Sequence, residues 1–494
     1  MKSKEMLMRS KYEILILFAS LLILLVCHTV TAEQIATPNT STSNLVLAKV
    51  DVESKLEDIS LPIYSDLVNG RGDPYVLSIA SMEQLQKSGL AYAVLDTAPA
   101  GTRYLLATSR SLQDRQAAKN VTDVLYDDGL RIVARYAPGL TAALSRLGLS
   151  PRPLSSTPIS YKSIQPPQRT AKTITKSNAV QAMLDKVSST NLSDSIAGLS
   201  GDRAVDIGGE QYEIITRNTS SGTPIQKATQ YIYEQLNALG LNVSYQEWSS
   251  DEYSGRNVIG ELRGVSKPSE IILMVAHLDS INETTEDPAS PAPGADDDGS
   301  GCAALLAAAQ IMKDYRFERT IRFVFTTGEE DGLLGSDAYA KKLSDEAQNV
   351  LDVLNLDMVA YSTQSSPVQN LHTRIQENPG YQADLAIATM FIDIVNLYGL
   401  SQSLVPVILK ESNDEGDQYS FWEKNYPSIM VIEDYNNFNP NYHCKSNMDA
   451  LQYLNMDYAA ANTKATIGTV AHLAGITSGQ LFQPATNYLL LKDE

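Results

Sequence analysis

Short, continuous apolar runs recur in the second half of the chain, at Ile271 to Ala276, Thr320 to Thr326, Val350 to Leu354 and Pro427 to Ile432. Runs of this length without polar alternation predict strands buried on both faces. Between them lie stretches of helical period. Pro224 to Leu239 puts Ile225, Ala228, Ile232, Leu236 and Leu239 on one face and meets Gly240 at its end, and Cys302 to Tyr315 carries a second pattern. The alternation predicts an α/β fold over residues 176-478: a doubly wound, mostly parallel sheet covered by helices on both faces. Such sheets bind ligands beyond the carboxyl ends of their strands.

The texture before this region differs. Tyr75 to Ile79, Ala91 to Leu95 and Tyr104 to Ala107 predict strands, and Met82 to Ser88 and Leu140 to Leu147 predict short helices. We expect a small α+β domain within residues 33-149. It carries no metal-ligand or nucleophile pattern, and Arg71-Gly72-Asp73 reads as an ordinary turn. The Pro/Ser-rich stretch that begins SPRPLSSTPISYK predicts a linker over residues 150-175, and residues 479-494 form a tail. The N-terminal domain then fits either an inhibitory prodomain acting in cis, with Arg169 and Lys172 as accessible cut sites, or a permanent accessory domain.

Charge and address narrow the function classes. The 494 residues carry a formal net charge of -19, and no stretch supplies the concentrated basic surface that nucleic acid needs. Lys2, Lys4, Arg9 and Lys11 precede an apolar run from Ile14 to Val26, and Val30-Thr31-Ala32 suits signal-peptidase cleavage. Residues 1-32 therefore read as an export signal, and the expected location is secreted, periplasmic or extracellular with no membrane span after its removal. Cys27 raises a lipoprotein alternative that Val26 fits poorly. After cleavage Cys302 and Cys444 remain, either bridged or as two free thiols.

Five metal-ligand side chains, His277, Asp297, Glu330, Asp357 and His443, fall at or beyond the ends of predicted strands. Each alone has a plain explanation as a turn or core residue. Together they form a mixed nitrogen and oxygen set suited to Zn²⁺. Three consecutive acids, Asp296 to Asp298, repel one another unless a cation lies among them. Asp279, two residues after His277, is placed to accept the second ring N–H of that histidine. Glu329 adjoins a ligand and is a candidate general base. His372 and His472 read as ordinary core or surface residues.

The motifs HLD, GADDDGSG, TTGEEDGLLGS, NLDM and NPNYH, in that order between about Tyr212 and Ile476, resemble the zinc exopeptidase family that includes the secreted two-zinc bacterial leucyl aminopeptidases. The resemblance implies two Zn²⁺ per chain, with Asp297 bridging, His277 and Asp357 completing one site, and Glu330 and His443 the other. It also implies Glu329 as general base, Tyr442 as an aid to the oxyanion, Met358 in the first side-chain pocket, and a cis peptide between Asp297 and Asp298. Two departures stand out. Gly416-Asp417-Gln418 replaces a Ser-Asp-His segment, and Asn447 stands where the family has Asp, with Asp449 two residues later.

The expected function is a secreted metallo-aminopeptidase that removes hydrophobic, leucine-like residues from peptide or protein N-termini. The alternatives are a carboxypeptidase or dipeptidase of the same fold, which needs a cationic clamp for a C-terminal carboxylate, and a non-catalytic binding relative. A one-zinc glutaminyl cyclase fits less well, because ligands for two metals are retained.

Overall fold

A computed structural model describes residues 45–97, 101–161 and 174–477. The expected signal, the cut sites Arg169 and Lys172, residues 162–173 of the linker and the C-terminal tail lie outside these residues. The expected elements recur with small boundary shifts. The four apolar runs become the strands Lys267–His277, Arg319–Thr326, Asn349–Leu356 and Ser428–Glu433, and the two helical patterns become Thr223–Ala238 and Gly299–Met312.

These four strands sit side by side in the middle of an eight-stranded sheet. From edge to edge its order is Asn242–Ser249, Ser254–Leu262, Arg319–Thr326, Lys267–His277, Asn349–Leu356, Ser428–Glu433, Val368–Thr373 and Val405–Lys410. The central pairings are parallel, which requires crossovers and puts helices on both faces. The sheet is nevertheless mixed, with four parallel and three antiparallel pairings. Both pairings of Ser254–Leu262 are antiparallel, as is that of Val368–Thr373 with Ser428–Glu433. The tight connection Ser250 to Tyr253 explains the first: it is too short for a crossover, so the chain returns as a hairpin.

The main apolar core lies on the face covered by Gly299–Met312 and Met456–Ala474, both helices being buried along most of their length. Tyr339, Ala340 and Leu343 of Leu334–Asp345, with Phe421, cover the other face. With the central strands buried on both sides, their carboxyl ends form a rigid platform, and the loops leaving it carry polar side chains.

The N-terminal region combines antiparallel strands with short helices. It holds two four-stranded antiparallel sheets, one ordered Ile63–Val68, Pro74–Ser81, Leu45–Asp51 and Tyr92–Asp96. The other is ordered Val124–Asp127, Arg131–Arg135, Tyr104–Thr108 and Ser150–Pro153. The last strand corrects the expected linker, whose first four residues pair with Tyr104–Thr108. Its two prolines are tolerated because the strand lies at the sheet edge.

The N-terminal sheets pack on the region of the eight-stranded sheet through polar contacts buried from water. Asp414 takes Arg152 Nε at 3.0 Å and lies 3.2 Å from Arg131 Nη2. Ser65 Oγ and the Tyr419 hydroxyl are 2.8 Å apart, and Asn378 donates to Asp66 at 2.9 Å. Ile375 joins the apolar core of the first N-terminal sheet.

Candidate metal centre and its cavity

Each proposed ligand lies where a strand runs out. His277 is the last residue of its strand, and Asp357 directly follows Asn349–Leu356. Glu330 follows Arg319–Thr326 after a short turn, while His443 lies beyond Ser428–Glu433 in the turn Tyr442–Cys444 with φ 54°. Asp297 sits just before the helix Gly299–Met312, whose N-cap is Asp298, and the Asp297–Asp298 peptide is cis.

The two oxygens of Asp297 face different partners. Oδ1 is 3.0 Å from His277 Nε2, which is 3.7 Å from Asp357 Oδ1. Oδ2 is 3.2 Å from His443 Nε2, which is 2.8 Å from Glu330 Oε2. Zinc bonds of roughly 2.0–2.1 Å to four tetrahedral ligands imply ligand atoms about 3.3–3.4 Å apart, so both groups have the spacing of a metal's coordination edges. The set fits cations in a second way. Asp297 Oδ2, Glu330 Oε1 and His443 Nε2 are buried without hydrogen-bond partners, a costly condition that a bound cation relieves.

The charges report the same imbalance. Burial alone raises Asp297, but His277 and His443 outweigh it and hold the carboxyl below its ordinary range. Burial raises Glu330 to about 7, the neighbouring Asp297 adding to it against His443. Burial also pushes Glu329 well above the ordinary range, reinforced by Glu330, Asp357 and Asp417 against His277. Glu329 remains only partly buried and lines the cavity.

A polar scaffold holds these groups. Asp279 differs from expectation in which of its atoms meets His277. The main-chain oxygen of Asp279 lies 3.1 Å from His277 Nδ1, whereas its carboxylate is 3.8 Å away. That carboxylate is turned instead towards Thr219 Oγ1 at 3.0 Å and the main-chain N–H groups of Glu329 and Glu330, both at 3.3 Å. It fixes the turn that presents the two glutamates. On the other histidine, Glu283 Oε2 lies 3.7 Å from His443 Nδ1.

Asp449 accepts from the N–H groups of Asp296 and Asp297 at 2.9 and 3.0 Å and ties down the central loop. Asn447, four residues after His443, instead bonds to Asn441. Fully buried Arg217 holds the approach to that loop by donating to the carbonyls of Leu278, Pro293 and Gly294. Gly294 has φ +50°, and a Cβ there would strike Asp297 O at 2.3 Å, so the close approach needs glycine. Thr219, Arg217 and Glu283 stand outside every motif and gave no signal in the sequence; Asp449 stood out only as a displaced acid.

Met358, at φ 51°, packs with Met430, Ile432, Tyr435, Phe438 and Tyr442. Tyr442 stacks on His443 with ring centroids 3.5 Å apart. These groups open into a cavity of about 380 Å³ that also contains His277, Asp297, Glu329, Glu330 and Asp357. Part of its remaining wall comes from the N-terminal domain, at Thr108 to Ser111, Asp114, Gly148 and Ser150.

Of the histidines set aside as ordinary, His372 is buried and His472 partly buried. His472 Nε2 is 3.0 Å from the Tyr398 hydroxyl, and His372 Nδ1 is 3.0 Å from Glu411 Oε1. Cys302 and Cys444 are free thiols, both buried. Among the described residues no helix is long and apolar enough to cross a membrane.

Comparison with known proteins gives this geometry its context. A sequence model of Peptidase family M28 matches residues 257–470. Leucine aminopeptidase 1 of Paracoccidioides brasiliensis (strain Pb03) is 29% identical over 272 residues, covering 52% of this chain and 67% of that protein. Leucine aminopeptidase 1 of Trichophyton rubrum is 27% identical over 316 residues, covering 61% and 78%. The crystal structure of the Legionella pneumophila LapA aminopeptidase superposes with a TM-score of 0.56 at 16% identity, covering 76% of this chain and 99% of that one, a likeness of fold. Family match, relatives and ligand chemistry agree: the chain is a zinc-dependent aminopeptidase whose residues 257–470 carry the pattern of Peptidase family M28.

Proposed function

We propose that this is an exported aminopeptidase that removes hydrophobic, leucine-like residues from peptide N-termini at a two-zinc site, with Glu329 as general base. The observation that carries the reading is the division of Asp297, one oxygen facing His277 and Asp357 and the other facing His443 and Glu330. His277 and Asp357 would hold one zinc, Glu330 and His443 the other, and Asp297 both. Bound zinc supplies Lewis acidity, polarising the scissile carbonyl and bringing the pKa of water towards neutrality.

Glu329 removes the proton from the attacking water and returns it to the leaving amine. Its carboxyl suits both steps, because burial and neighbouring acids raise its affinity for a proton. Tyr442, beside His443 at the cavity wall, donates its hydroxyl to the developing oxyanion. Met358, with Met430 and Ile432, forms an apolar wall for the first side chain, which favours leucine-like residues over small ones. The N-terminal signal pattern supports export.

The test is hydrolysis of leucine anilide by the purified protein before chelation, after it and after zinc readdition, with N-acetyl-leucine anilide as control. We expect activity on the free amine only, lost on chelation and restored by two zinc ions per chain. Glu329→Gln should keep its zinc and lose about 10²–10⁴-fold in kcat. Near-normal turnover in that variant, or equal cleavage of the acetylated substrate, rejects the assignment.

A further inference from the structure

One wall of the cavity comes from the N-terminal domain, and its most consequential group is Arg110. The guanidinium carbon lies 4.0 Å from the centroid of the Tyr435 ring, and Tyr435 packs in the same apolar cluster as Met358. Arg110 is exposed and lines the cavity, so its charge faces the space a ligand enters. Among the described residues no carboxylate forms an ion pair with it.

The nearby acids act on the guanidinium without forming an ion pair with it, and each has another partner. Glu411 Oε1 lies 3.0 Å from His372 Nδ1, and Glu415 Oε2 accepts from Asn413 Nδ2 at 3.0 Å. This part of the pocket wall therefore combines an aromatic ring, a cation held over it by cation–π attraction, and Glu415, whose charge acts on that cation.

We propose that Arg110, supplied by the N-terminal domain, is a specificity-determining residue that turns cationic N-terminal residues away from the side-chain pocket beyond Met358. The inference rests on the aminopeptidase reading and on that pocket receiving the first side chain. A lysine or arginine side chain is long enough to pass the methionines and bring its charge to the Arg110 end, where like charges repel in a partly desolvated space. A leucine side chain stops short and is indifferent to the charge. The N-terminal domain is then a working part of the substrate site, and its removal would change selectivity as well as access.

The experiment is calorimetric titration of the full-length zinc-loaded protein with leucine hydroxamate and lysine hydroxamate, both carrying a free α-amine. Arg110→Met removes the cation and leaves Glu411 and Glu415 to dominate. The ratio of lysine to leucine affinity should rise about fivefold, with leucine affinity little changed. Adding Glu415→Gln in the Arg110→Met background should bring the ratio back down, and Arg110→Lys should keep the wild-type ratio. Glu415→Gln alone leaves the ring stack intact and should lower the ratio, which keeps the test valid if Arg110→Met loses its fold.

An unchanged ratio in Arg110→Met, or a ratio insensitive to Glu415→Gln, overturns the proposal. The two readings separate cleanly. Turnover of leucine anilide with an unchanged ratio rejects the role of Arg110 alone, whereas absence of turnover rejects the aminopeptidase reading, and the role of Arg110 in selecting N-terminal residues falls with it whatever the ratio.

Discussion

Among the described residues, two of the buried clusters of charge are balanced in opposite ways. At the domain interface Asp414 faces two guanidinium groups supplied by the N-terminal domain, Arg152 at 3.0 Å and Arg131 at 3.2 Å, and Arg131 also faces Asp128 at 3.8 Å, so two cations meet two carboxylates. At the strand ends Asp297, Glu330 and Asp357 face only two imidazoles, with Glu329 alongside. Burial would raise Asp414, but Arg131 and Arg152 outweigh it and keep the carboxyl below its ordinary range. Glu330 and Glu329 are instead driven upward. A cluster that closes its own charge is a joint between domains, and one that leaves buried acids uncompensated is prepared for a cation from outside.

The sharpest way to break this comparison is to remove the one carboxylate shared by both halves of the uncompensated cluster. Asp297→Asn keeps the volume and discards the charge facing both histidines. We expect zinc content to fall from two per chain towards zero and leucine anilide turnover to drop below detection. Metal analysis and activity on the same preparation decide it, and two retained zinc ions would mean that Asp297 does not bridge.

The self-balanced cluster should fail differently. Asp414→Asn leaves buried Arg152 without its carboxylate and Arg131 with only Asp128, 3.8 Å away, which costs roughly 3–5 kcal/mol, read as a lower denaturant midpoint. Acid should reproduce the loss in the unaltered protein. Because the folded pKa of Asp414 lies below its unfolded value, its contribution is present above about pH 4, the unfolded range, and is lost as pH falls through the folded pKa. Asp414→Asn should therefore flatten the acid limb of the stability curve, and an unaltered limb would show that the joint does not depend on this charge.

How far each cluster was legible in the sequence follows from the same contrast. His277, Asp297, Glu330, Asp357 and His443 announce themselves because metal chemistry needs particular residue types at strand ends, and apolar runs such as Ile271 to Ala276 reveal those ends. Arg131 and Arg152 do not, since a guanidinium that pairs 262 residues along the chain has no local pattern. Arg110 and Ser150 escaped for the same reason, being made part of the cavity wall by docking. Ser150–Pro153 was hidden by its own composition, as prolines that end most strands are tolerated at an edge. The antiparallel edge was missed because the polar positions in Asn242–Ser249 and Ser254–Leu262 break the continuous apolar run that marks a central strand.

The smallest expected effect tests where the uncompensated cluster ends. Asp449 touches no proposed metal, yet its Oδ2 receives the N–H groups of Asp296 and Asp297, and Asn439 donates to its Oδ1 at 3.2 Å. Asp449→Asn retains an oxygen for those N–H groups but removes the charge and sets a second donor against Asn439. Groups that orient metal ligands typically change affinity by about 10–100-fold when altered, and the retained oxygen places this change at the lower end. We expect about a tenfold loss of zinc affinity in a chelator competition, with turnover restored at saturating zinc. Unchanged affinity would confine the electrostatic site to the ligands and Glu329. The loss would instead show that the acid displaced two residues from its expected place still serves the metal centre through the loop it holds.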